Sequence, residues 1–131
     1  MKDDCIFCKI NKKEIPSYTI YEDDDFRVFL DINPITNGHV LMVPKTHYDN
    51  MFELPEDMIP KIYETAKKVN DILKEKLNIE GLTLIQNNGL GQDVKHYHLH
   101  LVPRYAHDEI KYLSNEKQLV EVEDVFNQIT E

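Results

Sequence analysis

Three histidines alternate in His96-Tyr97-His98-Leu99-His100-Leu101-Val102, just after the loop Asn87-Asn88-Gly89-Leu90-Gly91-Gln92. In a strand, successive side chains point to opposite faces, so His96, His98 and His100 share one face and Tyr97, Leu99 and Leu101 the other. Imidazoles two residues apart then stand in a row at a spacing of about 7 Å. Such a row can be the polar outer face of an edge strand, a metal site, or a nucleophile flanked by orienting neighbours. His-x-His on a strand is a common metal-ligand pair. A cupin-type site, however, adds a Glu four or five residues beyond the second histidine, and Arg104 and Tyr105 stand there. Other His-x-His enzymes use large barrels that 131 residues do not build. The competing reading is nucleophilic catalysis, since a neutral imidazole attacks phosphorus or carbon near pH 7.

The two cysteines, Cys5 and Cys8, form a Cys-x-x-Cys pair, whose spacing points to metal or redox chemistry more than to a structural staple. A thioredoxin-type pair follows a strand and opens a helix; neither feature is read here, so redox catalysis is the weaker reading. Zinc would need two further ligands.

These groups must be held by a small set of elements. Tyr18 to Tyr21 and Phe26 to Leu30 read as strands around the acidic turn Glu22-Asp23-Asp24-Asp25, with Phe26, Val28 and Leu30 alternating as in a half-buried strand. The turn-rich segment Asn33 to Gly38 precedes a buried strand, His39 to Val43, ended by Pro44. Ile59, Ile62, Tyr63, Ala66, Val69, Leu73 and Leu77 step by three or four and predict one long helix, with Asp57 as N-cap and Asn78 and Gly81 at the exit. Leu82 to Gln86 reads as a strand, and so does His96 to Val102, ended by Pro103. A last amphipathic helix is expected from about Glu116, with Leu119, Val122, Phe126 and Ile129 on one side. The expected architecture is α+β: a largely antiparallel sheet of about five strands, one long helix and a C-terminal helix.

Charge narrows the partners. With 24 acids against 15 bases the net charge is −9, which leaves no footprint for a nucleic-acid polymer or an anionic membrane. Residues 106–131 hold seven of those acids and two bases. No apolar run approaches the roughly 20 residues of a membrane span. The start, Met1-Lys2-Asp3-Asp4-Cys5, lacks the basic-then-apolar pattern of a signal peptide, so a cytoplasmic location is expected.

With its segments taken together, the chain resembles the histidine triad family, in its nucleotide-binding branch. His96 to Val102 matches the His-φ-His-φ-His-φ-φ signature, and Gly91-Gln92-Asp93-Val94 is similar to the branch's Gly-Gln-Ser-Val. Ile6-Phe7-Cys8-Lys9-Ile10, Lys13-Glu14-Ile15-Pro16, Phe29-Leu30-Asp31-Ile32 and His39-Val40-Leu41-Met42-Val43-Pro44-Lys45 resemble its upstream segments in the same order. The likeness covers residues 5–105, the expected domain, and leaves 106–131 as an acidic extension with a helix.

The resemblance implies a purine nucleotide substrate and a two-step displacement in which His98 attacks the α-phosphorus and water then releases the monophosphate. By it, His100 and His39 donate to phosphoryl oxygens, Asp31 holds the ribose, and Phe7, Ile10, Ile15 and Ile32 enclose the base. Asn87, Gly91, Gln92, Asp93 and Val94 are implied to contact the substrate. Taken singly, the apolar residues are more often plain core and Asp31 an ordinary strand-end acid. The resemblance also implies a closed structural zinc site of Cys5, Cys8, His47 and His96, against two free thiols with a solvated His47; it implies a homodimer and no organic cofactor. Two departures matter: Asp93 stands where other members have Ser, and the loop from Gly89 to Gly91 is shorter than in animal members. The expected activity is a nucleotide hydrolase or nucleotidyl transferase acting on phosphoramidates or dinucleoside polyphosphates. The alternatives are a nucleotide-binding sensor or adaptor with negligible turnover and, disfavoured by charge, a zinc-ribbon nucleic-acid binder.

Overall fold

The computed structural model describes residues 4–131, so the first residues of the acidic start, Met1-Lys2-Asp3, lie outside it. The elements in chain order are α1 (Ile6–Asn11), β1 (Thr19–Glu22), β2 (Phe26–Leu30), β3 (Val40–Pro44), α2 (Met58–Leu77), β4 (Gly81–Ile85), β5 (Leu99–Arg104) and α3 (Val122–Thr130), with 3-10 turns at Met51–Glu53 and Glu116–Gln118. The strands form one antiparallel sheet in the order β1-β2-β3-β5-β4, as the α+β reading expects. Asp23 Oδ1 accepts the N–H groups of Asp25 and Phe26 at 2.8 Å each, which closes the acidic β1–β2 turn.

The sheet carries a helix on each face. Phe26, Val28, Val40, Met42, Tyr97, Leu99 and Leu101 pack with Met58, Val69 and Leu73 of α2, while Phe29, Leu41 and Val43 pack with Phe7, Cys8 and Ile10 of α1. β2 is therefore buried on both faces from Phe26 to Phe29, not half-buried as its Phe26-Val28-Leu30 alternation predicts. The sequence reading missed α1, which has six residues and is too short for apolar periodicity to register. The buried stripe of α2 is also narrower than predicted. It runs through Met58, Thr65, Val69 and Leu73, leaving Ile59, Tyr63 and Leu77 exposed.

Other boundaries shift in explicable ways. Pro44 is the last residue of β3, as expected, whereas Pro103 lies inside β5 rather than ending it, because proline removes only a donor. The Pro44 carbonyl still accepts from Asn11 and His96. β5 begins at Leu99 because the residues before it leave the ladder, Tyr97 N–H donating to the Tyr48 carbonyl at 2.6 Å. α3 begins at Val122, six residues past the predicted start, and its apolar residues Val122, Val125, Phe126 and Ile129 are all exposed. No helix among the described residues is long and apolar enough to cross a membrane.

Gly38 joins the turn before β3 to the rest of the fold. Its φ is +89°, and an added Cβ would lie 2.5 Å from Leu77 Cδ1 and 3.3 Å from Pro103 Cγ. The Leu77 methyl can yield, so the left-handed backbone carries most of the penalty. Gly38→Ala is expected to lower the unfolding free energy by about 1–2 kcal/mol, measured by urea denaturation.

Candidate active site

Strand pleat and the short helix together build the pocket. Phe7, Ile10, Ile15, Asp31 and Ile32, the residues that the resemblance assigns to base and ribose, line one open cavity of about 430 Å³. Ile6, Tyr18, Phe29 and Leu41 line it too and were not singled out. Phe29 and Leu41 were legible as the faces opposite Val28 and Val40; what the sequence lacked was α1, which turns that face into a pocket wall.

The three histidines do share a side. Ring centroids of His98 and His100 are 5.0 Å apart, and Phe7 stands edge-on to His96 and His98 at 5.8 and 5.1 Å. His96 and His98 are buried, which removes the exposed-edge reading. Hydrogen-bond partners assign the ring protons. His98 Nδ1–H donates to the His96 carbonyl at 2.8 Å, so its Nε2 keeps a lone pair.

His39 differs from the expectation. It is 2% exposed, Nδ1 accepts from the Ile35 N–H at 3.0 Å, and Nε2 lies 2.9 Å from His100 Nδ1 and 3.6 Å from Asp31 Oδ2. With both nitrogens engaged inside the protein, its geometry supports His100 and leaves nothing to offer a phosphoryl oxygen directly. Burial, opposed by the Asp31 charge, lowers the His39 imidazole below its ordinary value. Burial, with His98 and His39 beside it, pushes His100 down to about 4.

The loop before β5 is scaffolded by its own side chains. Gln92, expected on the substrate, donates from Nε2 to the Asp49 carbonyl at 2.5 Å and accepts the Gly89 N–H on Oε1 at 3.2 Å. Gly91 takes φ +98°, and an added Cβ would lie 3.7 Å from Asn87 Oδ1. Val94 packs on the α1 cluster. Asp93 lines a second cavity, about 400 Å³, together with Asp4, Cys5, His47, Asp49 and Lys95. That cavity meets the first at Ile6, and the Asp93 charge reaches His100.

Cys5, Cys8, His47 and His96 converge so that their ligand atoms all lie within 4.8 Å of one another. Three of the sulfur–nitrogen separations, Cys5 to His96 and Cys8 to His47 and His96, are 3.3 to 3.5 Å, and the two Nδ1 atoms are 3.1 Å apart. Tetrahedral zinc with Zn–S near 2.3 Å and Zn–N near 2.05 Å has ligand edges of about 3.3–3.8 Å. Each imidazole gives its other proton away: His96 Nε2–H donates to the Pro44 carbonyl at 2.9 Å and His47 Nε2–H to Asp49 Oδ1 at 2.8 Å. Two unprotonated Nδ1 atoms therefore face each other beside two sulfurs, a donor set that fits a soft cation. Burial pushes the Cys5 thiol up and the His96 imidazole down to about 4. The cysteines also correct the sequence reading on one point. Cys5 is the N-cap of α1, its sulfur accepting the Cys8 N–H at 3.4 Å, so the pair does open a helix. Redox chemistry is disfavoured by the two converging imidazoles instead.

Comparison with known proteins gives the same frame. The HIT domain profile matches residues 12–107. A HIT-like protein of Methanocaldococcus jannaschii is 42% identical over 127 residues, covering 95% of this chain and 98% of its own. An adenosine 5'-monophosphoramidase of Candida albicans is 42% identical over 106 residues, covering 76% and 70%. The crystal structure of a zinc-bound histidine triad family protein from Mycobacterium smegmatis aligns with TM-score 0.78 at 33% identity, covering 86% of this chain and 83% of that one. Since the profile spans the sheet and its histidines, and the first of these relatives matches nearly end to end, the chain belongs to the HIT (histidine triad) family.

Proposed function

We propose that the protein hydrolyses or transfers nucleotides at the α-phosphorus of purine nucleoside phosphoramidates or dinucleoside polyphosphates. One observation carries this reading: the lone pair left on His98 Nε2 by the bond from Nδ1 to the His96 carbonyl, beside a nucleoside-sized apolar pocket with an acid at its edge. The phosphoramidase name of the Candida relative supports it.

In the first step His98 Nε2 attacks phosphorus. A P–N bond forms, the bond to the leaving group breaks with its electron pair, and the leaving group takes up a proton from solvent. In the second step water attacks the same phosphorus and gives a proton back to solvent, the P–N bond breaks with its electron pair returning to Nε2, and the monophosphate leaves with His98 restored. His100 Nε2–H faces the growing phosphoryl charge as a donor. Asp31 receives the ribose hydroxyls; its Oδ1 already accepts the Asn33 N–H at 2.9 Å, which holds the carboxylate in place. Asn87, Gly91 and Val94 border the phosphate, and Gln92 shapes the loop that carries them.

Purified protein incubated with adenosine phosphoramidate and with diadenosine polyphosphates is expected to release AMP over many turnovers. Tight AMP binding without release would instead identify a sensor or adaptor. Asp93 should set the choice between these substrates, since a carboxylate beside the phosphate disfavours additional negative charge. Asp93→Ser is expected to raise kcat/KM by about threefold to tenfold for the polyphosphates and less for the phosphoramidate, measured as initial rates at low salt. Equal changes for both would remove Asp93 from substrate choice.

The same proposal places zinc on Cys5, Cys8, His47 and His96 as a structural ion. It also includes a homodimer, supported by the edge strand β4 with Leu84 exposed and by the uncovered apolar side of α3. Light scattering at micromolar concentration tests the dimer.

A further inference from the structure

Asp31, His39 and His100 bring three potential ligand atoms within 4.8 Å of one another, yet their protons make them something other than a metal site. His39 Nδ1 accepts the backbone N–H of Ile35 at 3.0 Å. A ring nitrogen that accepts cannot itself carry the proton, so neutral His39 is protonated on Nε2. That N–H donates to His100 Nδ1 at 2.9 Å, which in turn places the His100 proton on Nε2. Donors and acceptors therefore alternate along one line that starts at a backbone amide. A metal would need the His39 Nε2 lone pair, and the Ile35 N–H denies it.

The turn that supplies this amide is fastened from outside the pocket. Thr36 Oγ1–H donates to the Pro103 carbonyl at 2.7 Å, and Tyr105 Oη–H donates to the Asn37 carbonyl at 2.6 Å. Neither side chain lines the nucleoside cavity.

We infer that the turn from Asn33 to Gly38 is a positioning device: the Ile35 N–H, held in place by Thr36 and Tyr105, fixes His39 and through it His100 as neutral imidazoles, with the His100 Nε2–H presented to the phosphoryl group. The phosphoryl clause rests on the hydrolase reading; the proton assignment does not. Two consequences follow. His100 is a donor that keeps its proton, because giving it up would draw the proton from His39, whose Nδ1 cannot be recharged against the Ile35 amide. A further proton on either ring must break a bond of the chain. The groups facing the pair are Asp31 for both rings, with His98 and Asp93 for His100. The carboxylates favour a charged pair; burial and the neighbouring imidazoles oppose it and win.

Long-range proton–nitrogen correlation spectra of the nitrogen-15-labelled protein test this directly. His39 and His100 are expected to show protonated Nε2 and bare Nδ1, unchanged from about pH 8 to pH 5.5. Thr36→Val and Tyr105→Phe, alone and together, should admit the other tautomer or a titrating imidazole in that range. They should also lower kcat about tenfold with KM held within about twofold. A merely structural role would lower stability and leave the ring pattern intact. Wild-type His39 protonated on Nδ1, or folded variants with unaltered ring patterns and kcat, would overturn the inference. If the pattern holds and no AMP is released, the hydrolase reading fails and the positioning stands. The wild-type spectra decide the matter even if a variant does not fold.

Discussion

His98→Ala is expected to lose at least about a thousandfold in AMP release, because without the imidazole no nucleotidyl-enzyme can form and only positioning of water remains. The loss should fall on kcat, with AMP affinity changed far less, since the cavity lined by Phe7, Ile10, Ile15, Asp31 and Ile32, the proposed nucleoside site, does not include His98. The sequence alone predicts that the ring can be removed without cost to the core, as one of a row of strand-face imidazoles. The structure corrects this: His98 is 5% exposed and packs against Phe7 and His100. The alanine variant should therefore also be less stable, by about 1–3 kcal/mol. His98→Asn is the better control, because its side-chain amide can still donate to the His96 carbonyl. Rapid quenching of wild type should trap a nucleotide on the protein, seen by intact mass, that both variants lack. A variant turning over at the wild-type rate would remove His98 as the nucleophile.

Much of this was readable because period-2 alternation survives the local irregularity. β5 begins only at Leu99, yet the histidines and the Tyr97, Leu99, Leu101 set still separate onto the two faces. Strand alternation and the helical stripe located the sheet and α2. They failed where burial comes from an element too short to have a period. α1 covers the Phe29 and Leu41 face, so β2 and β3 are buried twice, and the pocket wall they form was invisible until the helix was known.

The unforeseen hydrogen bonds of two site candidates have a different cause. Residue type and order brought His39 and Gln92 to the site. They could not tell that the His39 nitrogens meet the Ile35 amide and His100, or that the Gln92 amide closes its own loop. Those are facts about direction, set by contacts between segments far apart in the chain. Both side chains therefore spend their polar atoms on other parts of the protein, a distinction that sequence order does not contain.

The metal cluster should join the two halves of the site. α1 has six residues, well below the roughly 12–15 that an isolated helix needs, so packing and the cluster of Cys5 and Cys8 with His47 and His96 must hold it. The same turns carry Phe7 and Ile10 into the nucleoside cavity. His96, a member of the cluster, also supplies the carbonyl that orients His98. Purified protein is therefore expected to contain about one equivalent of zinc per chain. Removing it with a strong chelator, or replacing Cys8 by alanine, should lower the melting temperature and weaken AMP binding about tenfold. Linkage requires the converse by the same factor: saturating AMP should tighten zinc retention about tenfold in a chelator competition. That reciprocal measurement needs no turnover, so it stands apart from the hydrolase reading. Less than about half an equivalent of zinc with both thiols freely titratable would retire the site. A fully loaded protein whose AMP affinity ignores the metal would keep the site but break its coupling to the pocket through α1.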